Sequence, residues 1–231
     1  MRVTNPPTNP DLLDSLAGHF VKSGYDLKAL IRTICNSTTY QLSAIPNDHN
    51  AGDRQNYSRY FPKRLTAEVL LDSIDGITGS STAFAGQLAG TRAVALPDDS
   101  YNSSSYFLTV FGRPEMDSAC ECERTQGASL AQTLHLLNSK NIQDKLAGAG
   151  GNADKLASQG DRANEDKIIE LYKRAFSREP KDDEMKTAID YINKKTQQAK
   201  ENGGKINEAN KMAYEDLVWA LLNTKEFLFN H

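Results

Sequence analysis

The residues best equipped for chemistry are Cys120 and Cys122, in the stretch Phe111-Gly112-Arg113-Pro114-Glu115-Met116-Asp117-Ser118-Ala119-Cys120-Glu121-Cys122-Glu123-Arg124. Two thiolates one residue apart can chelate a soft cation or cycle between thiol and disulfide. Arg113 and Arg124 flank them and favour the thiolate form, and Glu123 adds a hard ligand. Zinc needs about two further ligands, for which Cys35 and His135 are candidates, neither at a standard zinc spacing. Two other readings stand beside this one. Cys35 could pair with Cys120 or Cys122 in a disulfide that ties a long loop to a helix, or all three could be inert buried thiols.

A second candidate is a row of carboxylates. Glu68, Asp72 and Asp75 recur at spacings of four and three, which puts them on one face of a helix. Such a row can do acid–base work or hold a hard cation. It can equally be the solvated face opposite Leu70, Leu71 and Ile74. Glu68 is the exception to expect, since Arg59, Lys63 and Arg64 lie upstream to pair with it. His135 shares a helix face with Ala131 and Asn138. Beside cysteines this suggests a thiol-protease arrangement, but nothing fixes a nucleophile near it, and a capped or core-edge histidine is the simpler reading. Tyr57, Tyr60, Phe61, Tyr101, Tyr106, Phe107 and Phe111 gather in the loop-rich middle. There they either present ring faces to sugars or anchor loops on the core.

Helices must position these groups. Asn9-Pro10 reads as a cap and first turn, followed by Leu12, Leu13, Leu16, Ala17, Phe20 and Val21 at helical spacing. Gly24 ends that helix and Asp26 caps the next, whose stripe is Leu27, Leu30, Ile31, Ile34 and Cys35. The two form a hairpin. A third helix spans about Thr66 to Thr78. Residues 79–124 read as irregular, with extended candidates at Arg92–Leu96 and Tyr106–Phe111 and room for a short β pair. A fourth helix covers about Leu130–Leu137, and Lys140–Leu146 adds a turn or two. The glycines at 148–151 mark a change in composition. Beyond them come three helices, around Ile168–Phe176, Met185–Ile192 and Tyr214–Leu222, followed by Phe227-Leu228-Phe229, with Trp219, Phe227 and Phe229 inward. The reading is a mainly α protein with an N-terminal part, 1–147, and a three-helix unit, 148–231, forming one integrated domain.

Composition sets the outer limits. The 231 residues are 39% apolar, enough for a sizeable core, and the net charge of −3 gives no field to draw nucleic acid. Opposite signs alternate along the last third, so no basic stripe is indicated. No apolar run reaches the ~18 residues of a membrane span, and Met1–Pro7 holds no apolar run of the signal-peptide kind. The glycines at 148–151 lack the Gly-Lys-Ser/Thr ending of a phosphate loop.

Several blocks together resemble a known family. They are Asn9-Pro10-Asp11-Leu12-Leu13 with Tyr25-Asp26-Leu27-Lys28, the run Ile31-Arg32-Thr33-Ile34-Cys35-Asn36-Ser37-Thr38-Thr39-Tyr40-Gln41-Leu42-Ser43, the Phe111–Arg124 stretch, and Trp219–His231. Pro62-Lys63-Arg64-Leu65 with Glu68, and Leu134-His135-Leu136-Leu137-Asn138, agree. The chain is similar to the C-terminal domain of unknown function, the PSD family, of large exported proteins of planctomycetes and verrucomicrobia that often carry a cytochrome-c-like domain. The resemblance implies a periplasmic or cell-surface setting and the other domains of the same protein as partners. It also implies that family domains extend upstream of this chain, which is then expected to be a fragment. Any haem belongs to another domain: Cys120-x-Cys122 is not the Cys-x-x-Cys-His attachment motif, so no cofactor is expected here beyond a candidate metal. The expected role is a structural or interaction domain, with a surface on the insert or third helix. The alternatives are a metal-assisted or polysaccharide-acting enzyme domain and a glycan-binding module.

Overall fold

The computed structural model describes residues 6–53, 56–96, 105–113 and 130–230. The chain divides into two compact units, residues 1–62 and 63–230. The glycine-rich step at 148–151, expected to separate an N-terminal part from a C-terminal one, instead lies inside the second unit.

The first unit is built on α1 (Pro10–Lys22) and α2 (Leu27–Cys35). Asn9 and Asp26 cap them as their side chains predict, accepting from Leu12 N and Ala29 N. The turn between them uses left-handed Gly24 and Tyr25, and the Tyr25 ring meets Phe20 edge-on at 5.5 Å. Residues 36–53 and 56–62 continue as turns held by side chains such as Asn47, whose Oδ1 accepts from His49 N and Asn50 N. No described residue of this unit is buried.

The second unit opens on strand β1 (Lys63–Arg64), which pairs antiparallel with β2 (Phe229–Asn230), so its beginning and end are tied together. The short β pair expected within the insert is found here instead. Between the strands run α3 (Ala67–Thr78), α4 (Tyr106–Val110), α5 (Leu130–Asn138), α6 (Lys140–Leu146), α7 (Asn152–Ser158), α8 (Asn164–Phe176), α9 (Asp182–Glu201), α10 (Ile206–Leu222) and α11 (Lys225–Leu228). One core joins Leu70, Leu71, Ile74 and Ile77 of α3 to Leu108, Ile142, Leu156, Ile168, Leu171, Tyr214, Val218 and Leu222. Phe227 is buried and Trp219 only half-buried.

Both extended candidates of the insert are helical. Ala93–Ala95 forms a 3-10 turn, and Tyr106–Val110 is α4. Aromatic and β-branched content favours a strand there. Stacking of Phe107 on Phe111 at 4.2 Å requires the i, i+4 spacing of a helix.

The third helix is central. Its C-terminus stops at Gly79, whose φ of 71° no side-chain-bearing residue adopts readily. The Asn152 side chain donates to the carbonyls of Gly76 and Ile77 at 3.1 and 2.9 Å. These are late carbonyls of α3, and such groups otherwise lack intrahelical partners. A Cβ on Gly79 would stand 2.8 Å from Asn152 Oδ1. The joint between α3 and α7 therefore depends on this glycine and this asparagine together.

Candidate functional site

The carboxylate row predicted on the third helix exists, but it is not a solvated face. Each acid holds a different segment. Glu68 is buried and meets Arg113 Nε at 3.3 Å, the two side chains being 9% and 4% exposed. This partner comes from within the insert, 45 residues along the chain. Asp72 accepts from Ala93 N at 2.7 Å and Val94 N at 3.2 Å, capping the 3-10 turn, and pairs with Arg92 at 3.3 Å. Asp75 accepts from Ser80 Oγ and from Thr82 N and Oγ1, at 2.7–2.8 Å, and pairs with Lys145 of α6. Burial pushes the Asp75 carboxyl up, but the donors from Lys145, Thr82 and Ser80 outweigh it and hold it below the usual carboxylate range.

Around the far end of α3 lies an open cleft of about 600 Å³. One wall is the hydroxyl-rich turn after Gly79, and the opposite one comes from α4, α5 and α6. Tyr106 stands at its edge, 71% exposed. The Tyr106 ring lies 5.4 Å from the imidazole of His135, which also packs edge-on to Phe107 and Phe111. Burial lowers the His135 pKa. Its Nε2 is sealed from solvent and has no hydrogen-bond partner among the described residues. Histidine here is a core-edge residue of an aromatic cluster. Neither Glu68 nor Asp72 lines this cleft.

Beneath the cluster, Arg64 donates to Phe111 O at 3.0 Å and to the Gln132 side chain, and Gln132 donates to Val110 O at 3.0 Å. The aromatics therefore divide by role. Phe107 and Phe111 are loop anchors, whereas Tyr57 and Tyr106 are exposed. Tyr101 lies outside the described residues, as do Cys120, Cys122, Glu123 and Arg124. Cys35 carries a free thiol. Among the described residues no group of three or more His, Cys, Asp or Glu side chains could hold a metal ion, and no helix is long and apolar enough to cross a membrane.

Two other sites carry side-chain organisation that spacing alone did not reveal. Arg178 donates to both Glu184 and Glu226 at 2.6–2.8 Å and sits over the rings of Tyr172 and Phe176. Hydrogen bonding to Arg178 holds the Glu184 carboxyl down at about 2. A groove of about 520 Å³ between α8, α9 and α10 has an apolar floor that includes Leu171, Ala188 and Leu217.

An exposed apolar stripe belongs to the first unit. Leu27, Ile31 and Ile34 repeat at i, i+4 and i+7 along α2, with exposures of 60%, 51% and 39%. Leu12 and Val21 of α1 are also exposed. Sequence periodicity marks this stripe correctly but cannot say whether the chain itself covers it.

A family model described as PSD1, protein of unknown function (DUF1553), matches residues 2–192. No curated protein and no solved structure matches the chain. The chain belongs to the PSD1 family.

Proposed function

We propose that this member of the PSD1 family is a non-catalytic interaction domain of an exported, multidomain bacterial protein, and that it docks another domain of that protein through the apolar stripe of α2. The observation that carries the reading is the exposure of Leu27, Ile31 and Ile34 on a helix with no buried residue. An amphipathic helix in water gains most of its stability by burying such a stripe against something else. Grooves that accept helices read anchors at this i, i+4, i+7 spacing.

The state of the α3 acids supports the non-catalytic part. Glu68, Asp72 and Asp75 are each engaged by a cation or by backbone and hydroxyl donors from a separate segment. A general acid–base pair instead needs two carboxyls facing one reacting atom. Of the two places where an interaction surface is expected, the insert and the third helix, the third helix suits docking poorly because Ala67, Glu68, Leu70, Leu71, Ile74, Ile77 and Thr78 are buried; the reading here puts the surface on α2. Partnership with a cytochrome-bearing protein, and a periplasmic or surface location, rest on the resemblance of the sequence blocks.

The test is a calorimetric titration of the chain against the remaining domains of the same protein. Binding in the micromolar range or tighter is expected, weakened at least tenfold by Ile31→Asp. The second unit's unfolding midpoint should stay unchanged. Absence of binding, or binding indifferent to Leu27→Asp and Ile31→Asp, contradicts the docking role. Turnover of any substrate that is lost on substitution at Glu68, Asp72, Cys120 or Cys122 contradicts the non-catalytic one.

A further inference from the structure

The cleft beyond α3 has a chemistry of its own. Its volume of about 600 Å³ is in the range of small-molecule sites. The charges on its walls are already compensated. Lys145 pairs with Asp75, and Lys140 donates to both oxygens of Asp144 at 2.8 and 2.9 Å. The imidazole of His135 has its pKa lowered by burial, which favours the neutral ring. An ionic ligand meets no uncompensated counter-charge among these wall residues. What remains is a set of neutral donors and acceptors: the hydroxyls of Ser81, Ser105 and Ser139 and the amide of Asn141, all lining the same space.

Against this neutral polar wall stands one large flat apolar surface, the ring of Tyr106. Its neighbours on α4, Phe107 and Leu108, are buried at 5% and 0% exposure, yet Tyr106 is 71% exposed. The i, i+4 stack of Phe107 on Phe111 and the contact with His135 hold the short helix so that Tyr106 stays at the cleft. A side chain with that much exposed ring contributes little to the core. As a platform, it offers an amphipathic, low-entropy contact face.

We infer that this cleft is a binding subsite for a neutral carbohydrate, with a sugar ring lying on Tyr106 and its hydroxyls meeting the Ser/Asn wall. Sugars have that dual character: C–H-rich faces that pack on an aromatic ring, and rims of hydroxyls that both donate and accept. Hydroxyl and amide side chains match those rims, because each can likewise donate and accept. The stripe on α2 plays no part in this site, so the two readings stand or fall separately.

The experiment is a panel of neutral oligosaccharides (β-1,3- and β-1,4-glucan, mannan and xylan fragments) and sulfated counterparts, titrated into the full chain up to millimolar concentration. At least one neutral fragment is expected to bind, shifting the His135 ring-proton resonances as it does. Tyr106→Ala should weaken that binding about tenfold, Asn141→Ala should weaken it less, and Tyr106→Phe should keep it. Tyr106 and Asn141 are exposed, so all three variants should retain the wild-type unfolding midpoint. The inference is overturned if no neutral fragment binds. It is also overturned if only sulfated fragments bind, or if Tyr106→Ala and Asn141→Ala leave the affinity unchanged.

Discussion

At the scale of single residues, Glu68 shows how an acid that looks catalytic in sequence becomes structural. Its ion pair with Arg113 is nearly dry. Removing one member of a buried ion pair costs about 3–5 kcal/mol. Glu68→Ala is therefore expected to lower the denaturation free energy by that order, and Glu68→Ala with Arg113→Met should recover part of it. A Glu68→Ala variant as stable as wild type would sink this account of the pair. Arg178 makes a similar argument with a pH signature. The folded Glu184 carboxyl is held down at about 2, below the ~4.3 of an unfolded glutamate. The stabilisation is then fully present above ~4.3 and fades as pH falls from there toward about 2. Denaturant midpoints measured from pH 5 downward should fall more steeply for wild type than for Glu184→Gln, and equal slopes would contradict the assignment. The caps Asn9 and Asp26 were legible in the sequence because their partners lie three residues away. The pairs Glu68–Arg113 and Arg178–Glu226 were not, because 45 and 48 residues of chain separate the charges.

At the scale of elements, the long helices declared themselves by periodicity and the short ones did not. Leu70, Leu71, Ile74 and Ile77 leave no doubt about α3. Tyr106–Val110 reads as a strand by content, and only the stacking of Phe107 on Phe111 and packing on α3 make it a helix. The helix α7 follows a run of glycines that reads as a linker. In the fold that run is a close-packed joint, where a Cβ on Gly151 would approach Thr78 O to 3.0 Å. Two substitutions test the joint. Gly79→Ala forces a side chain into a left-handed backbone and against Asn152, and should cost about 2 kcal/mol. Asn152→Ala removes the donors to Gly76 O and Ile77 O and should cost about 1–3 kcal/mol. Chemical denaturation followed by far-UV circular dichroism reads both, and unchanged midpoints would mean that α7 is not tied to α3 in this way.

At the scale of the whole molecule, the sequence suggests a break at the glycines near 148, where composition changes. The structural division falls instead between Pro62 and Lys63. Composition tracks the chemistry of surfaces, whereas units are defined by which helices share a core, and α3, α6, α7 and α10 share one. The first unit differs in kind. None of its described residues is buried, and Leu12, Val21, Leu27, Ile31 and Ile34 are exposed. That difference carries the central claim that the chain is an interaction domain whose N-terminal hairpin awaits a partner. Amide hydrogen exchange, measured on the chain alone and in the presence of the proposed partner domain, tests it most directly. Exchange in α1 and α2 should be fast in the chain alone and slowed by at least tenfold with the partner present, with α3 and α10 protected in both. Equal exchange of the hairpin in the two contexts would contradict the claim.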